Sequence, residues 1–390
     1  MKYSFDEIID RRNTDSVKYA LWQGNSGDLL PLWVADMDFK SPPEVSEVLI
    51  QKCRHGIFGY SDAYGEDYFN PLYDWYLRRF NWELRPEWLV KTPGVVFAIY
   101  AAVRALTNEG DAVLIQQPVY YPFERAIKDT GRKVVVSELV YGKNGYSVDF
   151  KDFEDKVVKN SVKLFILCSP HNPVGRVWTK KELMTFGDIC LKHGVFVVAD
   201  EIHEDFVYPG NRHTVFAGIK PEFADMTVTC TAPTKTFNLA GLQISNIFIS
   251  NESIRQKFCS EIRKTGYGAP SLMGIAACKA AYQYGEEWLE ELKEYLSLNL
   301  DFAKNYLKEN IPEIRLVEPE GTYLLWMDCR GLGLSDEKLD EMIAVKAGLW
   351  LDSGTMFGAG GQGFQRMNIA CPRQILKQAL ERLKSAFKSN

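Results

Sequence analysis

At 390 residues with 46% hydrophobic content, the chain can bury large cores and form two sub-domains. Charged residues make up 25%, and the net charge of −5 comes from interspersed signs, which excludes a basic nucleic-acid-binding arm or tail. No apolar run approaches the ~20 residues that a membrane-spanning helix needs, and the opening MKYSFDEIIDRRNT has acids where a signal peptide has an apolar core. The eight cysteines are scattered without a C-x-x-C pair, and those in runs such as LFILCSP read as small buried hydrophobes in a reducing cytoplasm. Five dispersed histidines argue against a dedicated metal site.

From about residue 93 to 285, short apolar runs alternate with helical stretches. FAIYAAVRALTNEGD (97–111) carries Ile99, Ala102, Val103 and Leu106 at helical spacing, and Gly110 closes the helix. Strands are expected at AVLIQ (112–116), KVVVSEL (133–139), VKLFILC (162–168), VFVVA (195–199), MTVTCT (226–231) and QISNIFIS (243–250). KKELMTFGDICLKHG (180–194) is a helix between two of them. Runs apolar on both faces and rich in Val, Ile and Phe belong to a buried, mostly parallel sheet covered by helices. After Gly285 the pattern changes. A long helix over 286–311, with Trp288, Leu292, Tyr295 and Leu296 as core, precedes strand-like TYLLWMD, a helix over 335–347, FQRMNIA, and a closing helix over 373–388. This predicts a large α/β domain over 45–285. Residues 1–44 and 286–390 form a smaller α+β domain.

Within this pattern, TCTAPTKTFNLAGLQIS (229–245) holds a single lysine, Lys235, and the next cation is Arg255. A solvated surface turn is the ordinary explanation. A buried amine with a lowered pKa would instead be a Schiff-base nucleophile. Ligands of open α/β sheets bind beyond the carboxyl ends of the strands. The polar residues at those ends are Tyr120 and Tyr121, Asn172, Asp200 with His203, and Lys235. Each has a bland reading: core tyrosines, a turn residue before Pro173, a helix cap, a surface amine. Together they are the set that pyridoxal 5′-phosphate (PLP) requires. Its aldehyde needs an amine, its ring nitrogen a carboxylate, its phenolic oxygen donors and its ring a face to stack on. TPGVVFAIY supplies a phosphate site, with Gly94 opening a helix and the N–H groups of Val95 and Val96 free to face an anion. The glycine run GAGGQG (358–363) matches a dinucleotide fingerprint, but a strand follows it directly, so it reads as a flexible loop delivering Arg366.

The stretches LPLWVADMDFKSPPEV, FGYSDAYGEDYF, TPGVV, SPHNPVGRVW, VVADEIHEDF, KTFNLAGLQIS and FQRMNIACPR carry a family resemblance over nearly the whole chain. The sequence resembles the fold type I PLP enzymes of aminotransferase class I/II, and within them the cystathionine β-lyase-type C–S lyases. The resemblance implies a PLP-dependent transferase-like fold with a seven-stranded sheet, and a homodimer with shared active sites. It implies Lys235 as the Schiff-base lysine, Asp200 on the pyridinium nitrogen, and Asn172 and His203 near the phenolic oxygen. Tyr120 would stack on the ring, and Arg366 would clamp the substrate carboxylate through its two-pronged fork. Tyr60 would reach the phosphate bound by the neighbouring subunit. Two positions depart from the pattern. Gln243 stands where many such enzymes have an arginine on the phosphate, and Ala232 where a serine is common, so anchoring rests on Gly94–Val96, Thr234 and Tyr60. The activity implied is α,β-elimination from L-cystathionine or a similar S-substituted L-cysteine, giving a thiol, pyruvate and ammonia. The alternative is an aminotransferase with the same residues.

Overall fold

Seven strands form the central sheet: β1 (Leu89–Thr92), β2 (Ala112–Ile115), β3 (Lys133–Val136), β4 (Leu164–Cys168), β5 (Phe196–Asp200), β6 (Thr227–Thr231) and β7 (Ser245–Phe248). Their order is β1-β7-β6-β5-β4-β2-β3, and only β7 runs against its neighbours. The computed structural model describes residues 2–23, 29–61, 63, 65–143 and 145–388. All five residues of β4 and of β6 are buried, which is why these strands read as unbroken apolar runs. Cys168 pairs with Asp200, and Asp200 with Cys230, so β4, β5 and β6 end level with one another. Helix α1 (Val95–Leu106) packs across β5 and β6 and starts at the same end of the sheet.

The expected strands lie where the sequence placed them, with two differences. The run over 133–139 stops at Val136, and Leu139–Gly142 instead starts a separate hairpin with Gly145–Val148. Strand β1 was not foreseen, because four residues with mixed exposure carry too short a pattern.

A second, antiparallel sheet contains β8 (Arg315–Val317), β9 (Leu324–Asp328), β10 (Asp352–Ser353) and β11 (Phe364–Asn368), in the order β8-β9-β11-β10. The long helix α2 (Glu286–Asn310) packs on β8 and on the closing helix α3 (Arg373–Lys388). Trp288, Leu292, Tyr295 and Leu296 are buried in this core, as their spacing requires. The N-terminal segment is strapped to the same part of the molecule. Leu30–Pro31 pairs in parallel with Leu349–Trp350, and Trp33 stacks on Trp350 with ring centroids 4.4 Å apart. Asn368 Nδ2 donates to the carbonyls of Val34 and Asp36, each at 2.6 Å.

The glycine run before β11 is packed rather than loose. A Cβ on Gly361 would lie 1.9 Å from the carbonyl oxygen of Gly354, so the absent side chain permits backbone-to-backbone contact. None of the eight cysteines is in a disulfide; six are buried, Cys259 is partly so, and Cys53 is exposed. No described helix is long and apolar enough to cross a membrane.

Candidate active site

The level strand ends open into a cavity of about 400 Å³. Lys235, Asp200, Asn172, Tyr120, His203, Thr234, Gly94, Val95, Val96 and Arg366 all contribute to its wall. The crevice follows strand order: Lys235 comes after β6, Asp200 is the last residue of β5, and Asn172 and Tyr120 lie in the loops after β4 and β2. Of the expected residues, Tyr60 alone lies elsewhere. It is fully exposed on the surface of its own chain, as are Ile57 and Phe58 in large part.

Lys235 sits in a short helical turn (Pro233–Thr236) directly after β6 and is partly buried. Its Nζ donates to the carbonyl of Ala35 at 2.6 Å, and among the described residues it has no carboxylate within ion-pair distance. Burial pulls its pKa from the ordinary 10.5 down to about 8; Asp36 resists the fall and Arg366 adds to it. An appreciable fraction of the amine is therefore neutral near neutral pH, as a nucleophile or base must be.

Asp200 is 5% exposed, and its Oδ1 accepts one hydrogen bond, from the Ile202 N–H at 3.2 Å. The following residues form turns and no helix, so the helix-cap reading fails. Desolvation raises its pKa from 3.8 to about 7. Such a carboxylate is short of partners, and a protonated ring nitrogen would supply one. His203 is buried in the cavity wall with its ring edge-on to Tyr323, and its Nδ1 has no partner. Burial, with Lys235 and Arg366 nearby, lowers its pKa to about 3, so it stays neutral.

Arg366 projects from β11 and is 3% exposed. Its Nη1 donates to Asn172 Oδ1 at 3.0 Å, and its Nη2 to the Trp33 carbonyl at 2.7 Å and to Asp352 Oδ2. Its Nε has no partner, and its guanidinium carbon lies 5.0 Å from the Phe357 ring centroid. Asn172 was expected to face a phenolic oxygen; in this structure its Oδ1 is engaged by Arg366. The phosphate end is Gly94–Val96 at the start of the 12-residue helix α1, with Thr234 opposite. A Cβ on Gly94 would meet nothing within 4 Å, which leaves room for a bound group. Gln243 is exposed and Ala232 is buried, and neither lines the cavity.

Sequence reasoning missed part of the wall. Trp33, Val34 and Ala35 close the cavity from the N-terminal segment, and Asp352 and Val17 add to it, beside the expected Tyr121. The available signal was the LPLWVADMDF stretch, which contains all three N-terminal wall residues. The fold also gathers a histidine that looked dispersed: buried His213 lies 3.2 Å from Glu201 Oε2, with Glu204 beside them. Glu204 accepts from Tyr76 and Glu201 from the Phe216 N–H, so protein donors already serve this trio. A second cavity of about 460 Å³, between 206–211 and α2, carries Glu290, Lys293 and Glu294, of which Glu290 and Lys293 are tied up in surface ion pairs.

A family model described as "Aminotransferase class I and II" matches residues 28–383. Cystathionine beta-lyase PatB of Bacillus subtilis is 41% identical over 98% of this chain and 100% of its own length. The crystal structure of cystalysin from Treponema denticola, which contains a pyridoxal 5′-phosphate cofactor, superposes with a TM-score of 0.96 at 40% identity, covering all of both chains. That of the PLP-bound C-S lyase from Staphylococcus hominis gives 0.93 at 33% identity, covering 99% of this chain and 98% of its own.

Proposed function

The chain belongs to the aminotransferase class I and II family, and from that premise we propose that it is a PLP-dependent carbon–sulfur β-lyase. Its substrate is L-cystathionine or a similar S-substituted L-cysteine, and its products are a thiol (homocysteine from cystathionine), pyruvate and ammonia. The residues present fit the cofactor: a desolvated carboxylate with one hydrogen bond, a neutral buried histidine with an idle nitrogen, a partly neutral amine and an open helix start. When bound, PLP supplies an electron sink for the pair left on Cα once its proton departs.

The chain's own residues do the rest. Asp200 holds a proton at the ring nitrogen, because a carboxylate there favours the charged form of its neighbour. Lys235 would hold the cofactor's aldehyde carbon, and its free Nζ is the base that takes the proton from Cα. Arg366 binds the α-carboxylate and so fixes which Cα substituent faces Lys235. The helix start at Gly94–Val96 and Thr234 hold the phosphate, and Tyr120 covers the ring. The C–S bond at Cβ breaks, sulfur leaves as thiol, and the remaining fragment hydrolyses to pyruvate and ammonia.

One observation favours elimination over transamination with dicarboxylic acids. Among the described residues lining the cavity, Lys235 and Arg366 are the only cations. Once these serve the cofactor and the α-carboxylate, the described lining offers no third cation for an uncompensated second carboxylate (the distal one of cystathionine is balanced by its own ammonium), and Val17, Trp33 and Tyr121 present apolar surface instead. We also propose a cytoplasmic homodimer in which Tyr60 of each chain completes the other's phosphate site. Its exposure, with that of Ile57 and Phe58, supports this reading. The test supplies L-cystathionine to the pure holoenzyme without a keto acid. Stoichiometric pyruvate and thiol are expected; turnover that depends strictly on a keto acid would establish the aminotransferase instead.

A further inference from the structure

A guanidinium can meet a carboxylate with two parallel N–H groups along either of two edges. One edge joins the two terminal nitrogens, and the other joins Nε to the terminal nitrogen on its side. One terminal nitrogen belongs to both edges. In Arg366 that nitrogen is Nη2, and both of its protons are committed, one to the Trp33 carbonyl and one to Asp352 Oδ2. Nε and one Nη1 proton are free, but they do not share an edge. The arginine read as the substrate clamp thus has no complete fork to offer.

One of the two acceptors must yield. The Trp33 carbonyl is backbone, fixed on either side by the Leu32 N–H on the Trp350 carbonyl and by Asn368 on the Val34 carbonyl. Asp352 is a side chain, directly opposite Arg366 across the β10–β11 ladder and on the same cavity wall. Its charge matters as much as its position. It is 2% exposed, so a second carboxylate arriving at Arg366 would meet a like charge with little water between them.

We propose that Asp352 is a resident carboxylate that occupies the clamp in the free enzyme and that the substrate's α-carboxylate must displace from Arg366 Nη2. It is a specificity-setting residue. It keeps Arg366 extended and compensated while the cavity is empty, and it sets a threshold that amines without a carboxylate never have to cross. This rests on reading Arg366 as the carboxylate clamp and not on which bond breaks afterwards.

The test compares L-alanine with L-alanine methyl ester. Neither has a C–S bond, so the outcome is separate from that of the pyruvate assay. Binding to the holoenzyme is followed by calorimetry and by the cofactor's visible absorption. Asp352→Asn keeps an oxygen acceptor for Nη2 and removes the charge. It should tighten alanine by about tenfold or more, since a like-charge contact is worth from about fivefold in water to about a thousandfold at the dielectric of a protein surface, and leave the ester's affinity unchanged. Alanine binding that is unchanged or weaker in Asp352→Asn would overturn the proposal, because a residue that only orients Arg366 can be missed but cannot compete. Should the asparagine variant lose its melting transition or its cofactor band, Asp352→Ser gives the same decision.

Discussion

Two lysines touch the same short segment and meet different fates. Lys18 is fully buried, with Asp38 Oδ2 2.7 Å from its Nζ and Asp36 Oδ1 3.8 Å away, and Arg11 bridges the same two carboxylates. Lys235 reaches the carbonyl of Ala35, one residue before Asp36, and no described carboxylate lies within 4 Å of its amine. The first site compensates its charges fully. The second withholds the counter-charge, and desolvation then lowers the amine's pKa to about 8. The contrast shows that reactivity here comes from a partner left out: a backbone carbonyl orients the amine without holding its proton as a carboxylate would.

The sharpest way to break this contrast is to remove each lysine. Lys235→Ala should lower pyruvate release by about 10³-fold or more, since a base alone is commonly worth 10²–10⁴ and the covalent link goes with it. Lys18→Met should leave turnover per folded holoenzyme in place but cost about 3 kcal/mol in denaturant unfolding, because it strands buried carboxylates. Swapped outcomes would mean that the roles are reversed.

Asp200 supplies the next largest effect. Asp200→Asn preserves shape and one acceptor but not the charge that keeps the ring nitrogen protonated. Exchange of the substrate Cα hydrogen with solvent should slow by about 10²-fold, since each ~1.4 kcal/mol lost in the transition state is tenfold. Near-wild-type exchange, measured by NMR in D₂O, would reduce Asp200 to a turn residue.

Arg366→Lys replaces a planar fork by a point charge. A fall of about tenfold to a hundredfold in kcat/KM for amino acids is expected while the cofactor stays bound. Retained kcat/KM would mean that another cation does the clamping.

The smallest effect is a pH dependence. Lys235 must be neutral to capture an aldehyde, and its pKa is about 8. Reloading of the apoenzyme with PLP should therefore quicken about tenfold per pH unit below that value and level off above it. A rate still climbing toward pH 10 would place the amine in an ordinary solvated environment.

Much of this was legible in the sequence, for identifiable reasons. Strands buried on both faces, such as LFILC and TVTCT, are unbroken apolar runs, and the residue after each run is forced to one end of a parallel sheet. That logic brought Tyr120, Asn172, Asp200 and Lys235 together, and the cavity contains all four. It could not see what arrives from outside the alternating strands. The Trp33–Ala35 wall depends on Leu30–Pro31 pairing with Leu349–Trp350, a contact across more than 300 residues with no local pattern. Asp352 was invisible because a two-residue strand has no periodicity, and its meaning comes from lying opposite Arg366. The GAGGQG glycines read as a flexible loop, whereas they serve close packing, which needs coordinates to recognise.

The proposed function stands or falls on Lys235, and not a charge-paired lysine such as Lys18, as the residue that carries the cofactor. Borohydride reduction of the holoenzyme followed by peptide mapping tests it most directly. A single stable adduct on the peptide containing Lys235, absent from Lys235→Ala, is the predicted result. An adduct on any other lysine, or none on Lys235, would contradict it.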